Sequence, residues 1–183
     1  NQMKIANRII SLEHKPFIIA ELSANHNQSL ERALEIVKKA AESGAEAIKL
    51  QTYTADTMTF NLKSEEFMIR DETSPWNGRH MYDLYHEAHT PWEWHEQIFN
   101  YAKELNLLAF SSPFDNTAVD FLESLDVPAY KIASFECVDT QLIKKVASTG
   151  KPMIISTGMA NLKEIKLTYE TAIKYGAKGV TLL

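Results

Sequence analysis

Ala129-Tyr130-Lys131-Ile132-Ala133-Ser134 carries one lysine inside a short apolar run, and Ala47-Ile48-Lys49-Leu50-Gln51-Thr52-Tyr53 does the same. Both runs are short and mostly apolar on both faces, which is how parallel strands covered on both sides read. Four more runs share the character: Phe17–Leu22, Leu107–Ser112, Pro152–Thr157 and Gly179–Leu183. Amphipathic stretches separate them. In the first of these, Ala33, Ile36, Val37 and Ala40 recur at helical spacing and form one apolar stripe. Thr90-Pro91-Trp92-Glu93 and Asn161-Leu162-Lys163-Glu164 read as capped helix starts. Gly44, Gly150 and Gly176 follow helical stretches, where a left-handed cap is needed. The chain therefore alternates strand and helix through six strands. The last four runs start at 107, 129, 152 and 179, which are 22, 23 and 27 residues apart, a βα period without repeated sequence.

Repeated βα units leave two architectures, an open doubly wound sheet or a barrel. The turn after the first strand is Ser23-Ala24-Asn25-His26-Asn27 and has no glycine, so the dinucleotide-binding fingerprint is absent. The expected fold is α/β, a (β/α)8 TIM barrel. A full barrel takes eight strands and about 250 residues. The 183 residues supply about six of those strands. Residues 1–183 are thus expected to be an N-terminal catalytic TIM-barrel domain, truncated before closure. Ahead of the first strand, Lys4–Ile10 and Ser11–Pro16 are expected to form a small hairpin that plugs the N-terminal mouth. The segment Thr54–His89 is far longer than an ordinary connection, and its aromatic residues argue for a functional loop.

Composition narrows the partners. The formal net charge is −5, which argues against nucleic acid or an anionic membrane as the main partner. A single cysteine, Cys137, fits a reducing compartment. The sequence has no apolar run of about 18 residues and no apolar signal core near its start, so a cytoplasmic location is expected.

In a barrel the active site lies at the C-terminal strand ends. Those ends carry Glu21 with Asn25, Lys49 with Gln51 and Tyr53, Ser112, Lys131 with Ser134 and Glu136, and Ser156 with Thr157. Lysine is almost never fully buried without a partner. Lys49 and Lys131 therefore either form structural ion pairs with Glu21 or Glu136, or bind an anion carrying carboxylate and phosphate, with the serine hydroxyls as further donors. The two glutamates suit general acid–base work as well as charge balance. His26 serves the site or only its turn. His80, His86, His89 and His95 read as surface or packing residues, since His86-Glu87-Ala88-His89 lacks zinc-protease spacing. Trp76, flanked by Arg70 and Arg79, is the better candidate for stacking on a sugar, while Trp92 and Trp94 suit helix packing. Three activities fit this pattern: condensation at an anionic site, Schiff-base aldol chemistry at a lysine, and non-catalytic binding of a sugar or phosphate.

The ordered set of strand ends resembles the sialic acid synthase family. The segments that carry the resemblance are Phe17-Ile18-Ile19-Ala20-Glu21 with Asn25-His26, Ile48-Lys49-Leu50-Gln51, Phe110-Ser111-Ser112-Pro113-Phe114-Asp115, Tyr130-Lys131-Ile132-Ala133-Ser134 with Glu136, and Gly150-Lys151-Pro152 through Ser156-Thr157-Gly158-Met159. Glu21-Leu22-Ser23-Ala24-Asn25-His26, Gln51-Thr52-Tyr53-Thr54 and Ser74-Pro75-Trp76-Asn77-Gly78-Arg79 look most like the branch that makes pseudaminic acid, whereas the sialic and legionaminic branches usually have Ile-Gly in place of Leu22-Ser23. The resemblance implies condensation of phosphoenolpyruvate with an N-acetylated amino sugar, here 2,4-diacetamido-2,4,6-trideoxy-altrose, with release of phosphate. It implies that Lys49, Lys131, Ser112, Ser134 and Ser156 hold phosphoenolpyruvate. Glu21 and Glu136 would handle protons or stabilise developing positive charge. Gln51, Tyr53, Asn25 and the long loop with Trp76 and Arg79 would face the sugar. It further implies a divalent metal, Mn²⁺ or Mg²⁺, with ligands beyond Leu183, a homodimer, and a C-terminal antifreeze-like domain outside this chain.

Overall fold

A computed structural model describes residues 2–183. A short antiparallel pair comes first, β1 (Met3–Ile5) and β2 (Arg8–Ile10). Then follow β3 (Ile19–Glu21), α1 (Leu30–Glu42), β4 (Ala47–Thr52), α2 (Ala55–Met58), α3 (Met81–Ala88), α4 (His95–Glu104), β5 (Leu108–Pro113), α5 (Asn116–Ser124), β6 (Tyr130–Ile132), α6 (Thr140–Ser148), β7 (Met153–Ile155), α7 (Leu162–Lys174) and β8 (Val180–Leu182). Each of the six apolar runs holds one strand of the main sheet.

The main sheet is parallel throughout, in the order β3-β4-β5-β6-β7-β8. That order decides between the two architectures. A doubly wound sheet reverses its winding and places helices on both faces. Here winding never reverses, so every crossover helix lies on one face and the other face curls inward, as in a barrel. The six strands form part of a TIM barrel, and β3 and β8 each have a single strand neighbour.

Register assigns the side chains to faces. Glu21 lies opposite Lys49, which lies opposite Phe110; Gln51 lies opposite Ser112; Lys131 lies opposite Ile154, which lies opposite Thr181. These groups share the inner face. The alternate residues Ile48 and Leu50 are fully buried against Ala33 and Val37 of α1 and Ile98 and Ala102 of α4. Burial of each such aliphatic side chain stabilises the fold by about 1.5–3 kcal/mol. Strand alternation is thus what allows a lysine to stand between two core residues.

Helix starts follow local chemistry. Ser29, Asp115 and Asp139 side chains accept backbone N–H groups of the first turns of α1, α5 and α6. Asn161 and Glu164 form the expected reciprocal capping box on α7. Gly44, Gly150 and Gly176 have φ of +86°, +74° and +110°, as left-handed caps require. The capping box expected at Thr90 is not formed. A single 3₁₀ turn at Trp92–Trp94 precedes α4, and the Thr90 hydroxyl bonds to His26 instead.

The N-terminal hairpin exists in a shorter form than expected. Both of its strands lie within Met3–Ile10, and Ser11–Pro16 is irregular. Ile5 is fully buried, Met3 is 5% exposed, and both belong to the main apolar cluster with Val127 and Ile154. A Cβ on Gly179, just ahead of β8, would lie 2.8 Å from the Met3 side chain. Arg8 donates to Glu46 at 2.8 Å, immediately before β4. The hairpin therefore sits at the start of the strands and floors the barrel.

Candidate active site

Above that floor the inner face encloses a cavity of about 340 Å³. Its lower wall is apolar, from Met3, Ile10 and Phe17. Its upper wall carries Glu21, Lys49 and Lys131 from three strands. Parallel strands all deliver their C-terminal ends to one side, so three ionisable groups distant in sequence meet there.

The two lysines differ in their partners. Lys49, 8% exposed, donates to Glu21 Oε1 at 2.8 Å, so the structural ion pair weighed above is present. Lys131, 9% exposed, donates to Ser156 Oγ at 2.6 Å and to the Ile132 carbonyl at 2.7 Å. Among the described residues it makes no ion pair, and Glu136 does not neutralise it directly. Burial, then the neighbouring Lys49 charge, lower the Lys131 pKa to about 8. Glu21 and Glu136 act the other way. The Glu136 carboxyl is held above the usual carboxylate range, chiefly by burial and then by Asp139, with Lys131 opposing. Among the described residues its buried Oε2 has no hydrogen-bond partner. Lys131 thus faces the cavity as a cation without a counterion, and the buried Glu136 oxygen carries an unused hydrogen-bonding capacity nearby.

The remaining candidates are placed as follows. Ser112 is buried on the inner face opposite Gln51. Ser134 is exposed, and the loop after β7 presses against it: a Cβ on Gly158, at φ +50°, would lie 2.6 Å from Ser134 Cβ. Asn25 is exposed, and its Oδ1 accepts the Ser23 N–H at 2.8 Å. Tyr53 is only 5% exposed and packs edge-to-face against Tyr85 and Phe114. Burial pushes its hydroxyl up to about 12. It anchors the long loop. His26 Nδ1 accepts the Gln28 N–H and its Nε2 bonds to Thr90, so the turn-holding role is the one observed.

The long loop packs beside these strand ends. Gln28 donates to the carbonyls of Glu87 and His89, and Met68 bridges to His80 across a small antiparallel turn. Trp76 is 50% exposed at its tip. Arg79 pairs with Glu87, and Arg70 with Glu65. Trp76 is thus open to a ligand, while Arg79 is already engaged by a carboxylate.

One cluster has no counterpart among the sequence candidates. Thr52, Ser111 and His95 are each fully buried and bonded to one another on the outer face of the sheet. The available signal was a polar residue on the face that Ile48 and Leu50 make apolar, since such a residue needs a buried partner.

Six consecutive parallel strands define part of a TIM-type barrel, and its ionisable groups gather at the C-terminal strand ends, where barrels of this class hold their active sites. The chain belongs to the NeuB family, whose sequence pattern matches residues 36–183. It is 47% identical over 168 residues to the pseudaminic acid synthase of Helicobacter pylori, covering 92% of this chain and 49% of that protein. It is 48% identical over 163 residues to the pseudaminic acid synthase of Campylobacter jejuni serotype O:2, covering 89% and 46%. Its fold matches the N-acetylneuraminic acid (sialic acid) synthetase of Leptospira borgpetersenii, solved in complex with citrate, with a TM-score of 0.84 at 25% identity, covering all of this chain and 59% of that one. The chain spans about half the length of the curated relatives it matches.

Proposed function

We propose that this chain is the catalytic barrel portion of a phosphoenolpyruvate-dependent nonulosonic acid synthase that makes pseudaminic acid. The observation that carries the reading is Lys131: a buried lysine without a counterion, sharing one cavity with the Lys49–Glu21 pair. Glu21 balances Lys49, whereas Lys131 has only neutral partners, so the cavity carries one positive charge that an anion can neutralise. The carboxylate and phosphate of phosphoenolpyruvate suit that arrangement, with Ser112, Ser134 and Ser156 hydroxyls as further donors. The acceptor is the open-chain aldehyde of 2,4-diacetamido-2,4,6-trideoxy-altrose, met by Gln51, Asn25, Tyr53 and the loop bearing Trp76 and Arg79.

In this reaction C3 of phosphoenolpyruvate bonds to the aldehyde carbon, and the aldehyde oxygen takes a proton. Positive charge develops at C2, water adds there and loses a proton, and the tetrahedral intermediate expels phosphate by C–O cleavage. Glu136, which retains its proton more readily than an ordinary carboxyl, serves as the acid. Glu21 lies beside Lys49 where a carboxylate stabilises the developing cation. No group of three or more His, Cys, Asp or Glu side chains among the described residues is placed to hold a metal. Mn²⁺ or Mg²⁺ belongs to this proposal through the family resemblance, with ligands expected beyond Leu183, and no step above runs through it. The proposal extends to a cytosolic homodimer whose antifreeze-like domain completes the site. Cys137, buried and unpaired, suits a reducing compartment. Among the described residues no helix is long and apolar enough to cross a membrane.

The test is phosphate release from phosphoenolpyruvate by the full-length protein with Mn²⁺. The acceptor panel is the diacetamido-trideoxy-altrose, N-acetylmannosamine and the legionaminic acid precursor. Release with the altrose sugar alone is the expected result. Release with another acceptor keeps the reaction and moves the branch, and tight binding without turnover points to a non-catalytic barrel. The lowered Lys131 pKa also suits Schiff-base chemistry, which needs a neutral amine. Borohydride distinguishes the two, since only a Schiff-base enzyme traps a covalent pyruvate adduct.

A further inference from the structure

The outer-face cluster has one consistent proton order. His95 Nδ1 lies 3.2 Å from the Pro91 carbonyl, which can only accept, so Nδ1 carries the ring proton. Nε2 is then a lone pair and accepts the Thr52 hydroxyl at 2.8 Å. With its proton committed, Thr52 Oγ1 accepts the Ser111 hydroxyl at 2.6 Å. The order Ser111→Thr52→His95→Pro91 requires a neutral imidazole. Burial lowers the His95 pKa to about 4, which keeps it neutral.

Thr52 and Ser111 sit at the C-terminal ends of β4 and β5, and each adjoins an inward-facing candidate. Gln51 precedes Thr52, Ser112 follows Ser111, and those two lie directly opposite each other in the ladder. The ladder ends one residue later at Pro113, which has no N–H to donate. Side-chain bonds on the outer face thus take over where backbone bonds run out. His95 also ties this point to the end of the long loop, because its acceptor Pro91 is followed by Trp92, whose Nε1 donates to the Tyr53 carbonyl at 3.2 Å.

We infer that His95, Thr52 and Ser111 are positioning residues, a buried relay that holds Gln51 and Ser112 in register for substrate. Placing Gln51 on the acceptor side and Ser112 on the phosphoenolpyruvate side rests on the proposed function; the relay itself does not. Displacement of a binding group by about 1 Å costs on the order of a hundredfold in rate, and partial loosening costs less.

The test uses the full-length protein with two readouts, the phosphoenolpyruvate Kd by calorimetry and the KM for each substrate. Thr52→Val keeps the shape and removes the hydroxyl, leaving the Ser111 hydroxyl and His95 Nε2 without their Thr52 partner. The expected result is a rise of about tenfold in Kd and in both KM values. Thr52→Ser restores them, and Thr52→Val combined with His95→Phe is no worse than the weaker single variant. Ile98→Ala, on the same outer face but outside the relay, is the comparison: it lowers Tm and leaves Kd unchanged. If Thr52→Val likewise lowers Tm with Kd and both KM values at the parent level, the relay is only structural and the inference fails. A parent protein that binds phosphoenolpyruvate but never turns it over sinks the proposed function alone, because Kd still reports on the relay.

Discussion

A lysine held at about 8 is half charged near the pH at which many enzymes work, so Lys131 makes the site pH-sensitive in a definite direction. Below about pH 8 it is charged and favours the anionic substrate; above, it is neutral. The value of kcat/KM for phosphoenolpyruvate should fall about tenfold per unit above pH 8, and Lys131→Arg should remove that limb from whatever activity remains. A profile flat to pH 9.5 in the parent would show that Lys131 does not bind the anion as a cation. Stability runs the opposite way. The folded pKa lies below the ordinary 10.5, so the unfolded chain binds the proton first as pH falls from 10.5 to 8. Without substrate, Lys131 costs stability below about pH 8 and not above 10.5. Gly158 is the second sensitive residue. Gly158→Ala strains a φ of +50° and drives a methyl into Ser134. The expected result is a phosphoenolpyruvate KM raised by about tenfold with the acceptor KM unchanged, measured by phosphate release.

Among the elements, α7 states its own start most plainly. Asn161 and Glu164 close both halves of a capping box, so Asn161→Ala should cost about 1 kcal/mol in urea unfolding of the full-length protein. An unchanged midpoint and slope would mean that the cap is redundant with packing. The turn before α4 shows the opposite case. Thr90 has the sequence signature of a cap, yet tertiary contact with buried His26 claims its hydroxyl. Local chemistry decides a helix end only where no buried group competes for the same side chain.

At the scale of the whole molecule, the barrel interior is divided between an apolar floor and a charged upper layer. The floor comes from the hairpin rather than from the barrel strands. Ile5 is fully buried there, and Ile5→Ala should lower stability by about 2–5 kcal/mol in urea or thermal unfolding. Its effect on substrate KM should be small, because Ile5 is fully buried and does not line the cavity that Lys49 and Lys131 face. A large KM change with little loss of stability would mean that the hairpin shapes the site directly.

Much of this was written locally. Apolar runs with a lysine in each of two strands, glycines after helices and the missing glycine-rich turn were enough to determine six parallel strands of a barrel and where its polar ends lie, because strand period and cap chemistry depend on near neighbours. The same runs named Glu21, Lys49, Lys131, Ser112, Ser156 and Glu136. Which carboxylate meets which lysine was decided only by tertiary structure. Register sets Glu21 opposite Lys49 and leaves Lys131 to Ser156, a choice made by long-range pairing. The burial of Tyr53, the engagement of Arg79 by Glu87 and the His95–Thr52–Ser111 relay were decided there too. The burial of Tyr53 and the relay depend on segments tens of residues apart arriving at one point, and on the cost of leaving a buried polar group unpaired once they do.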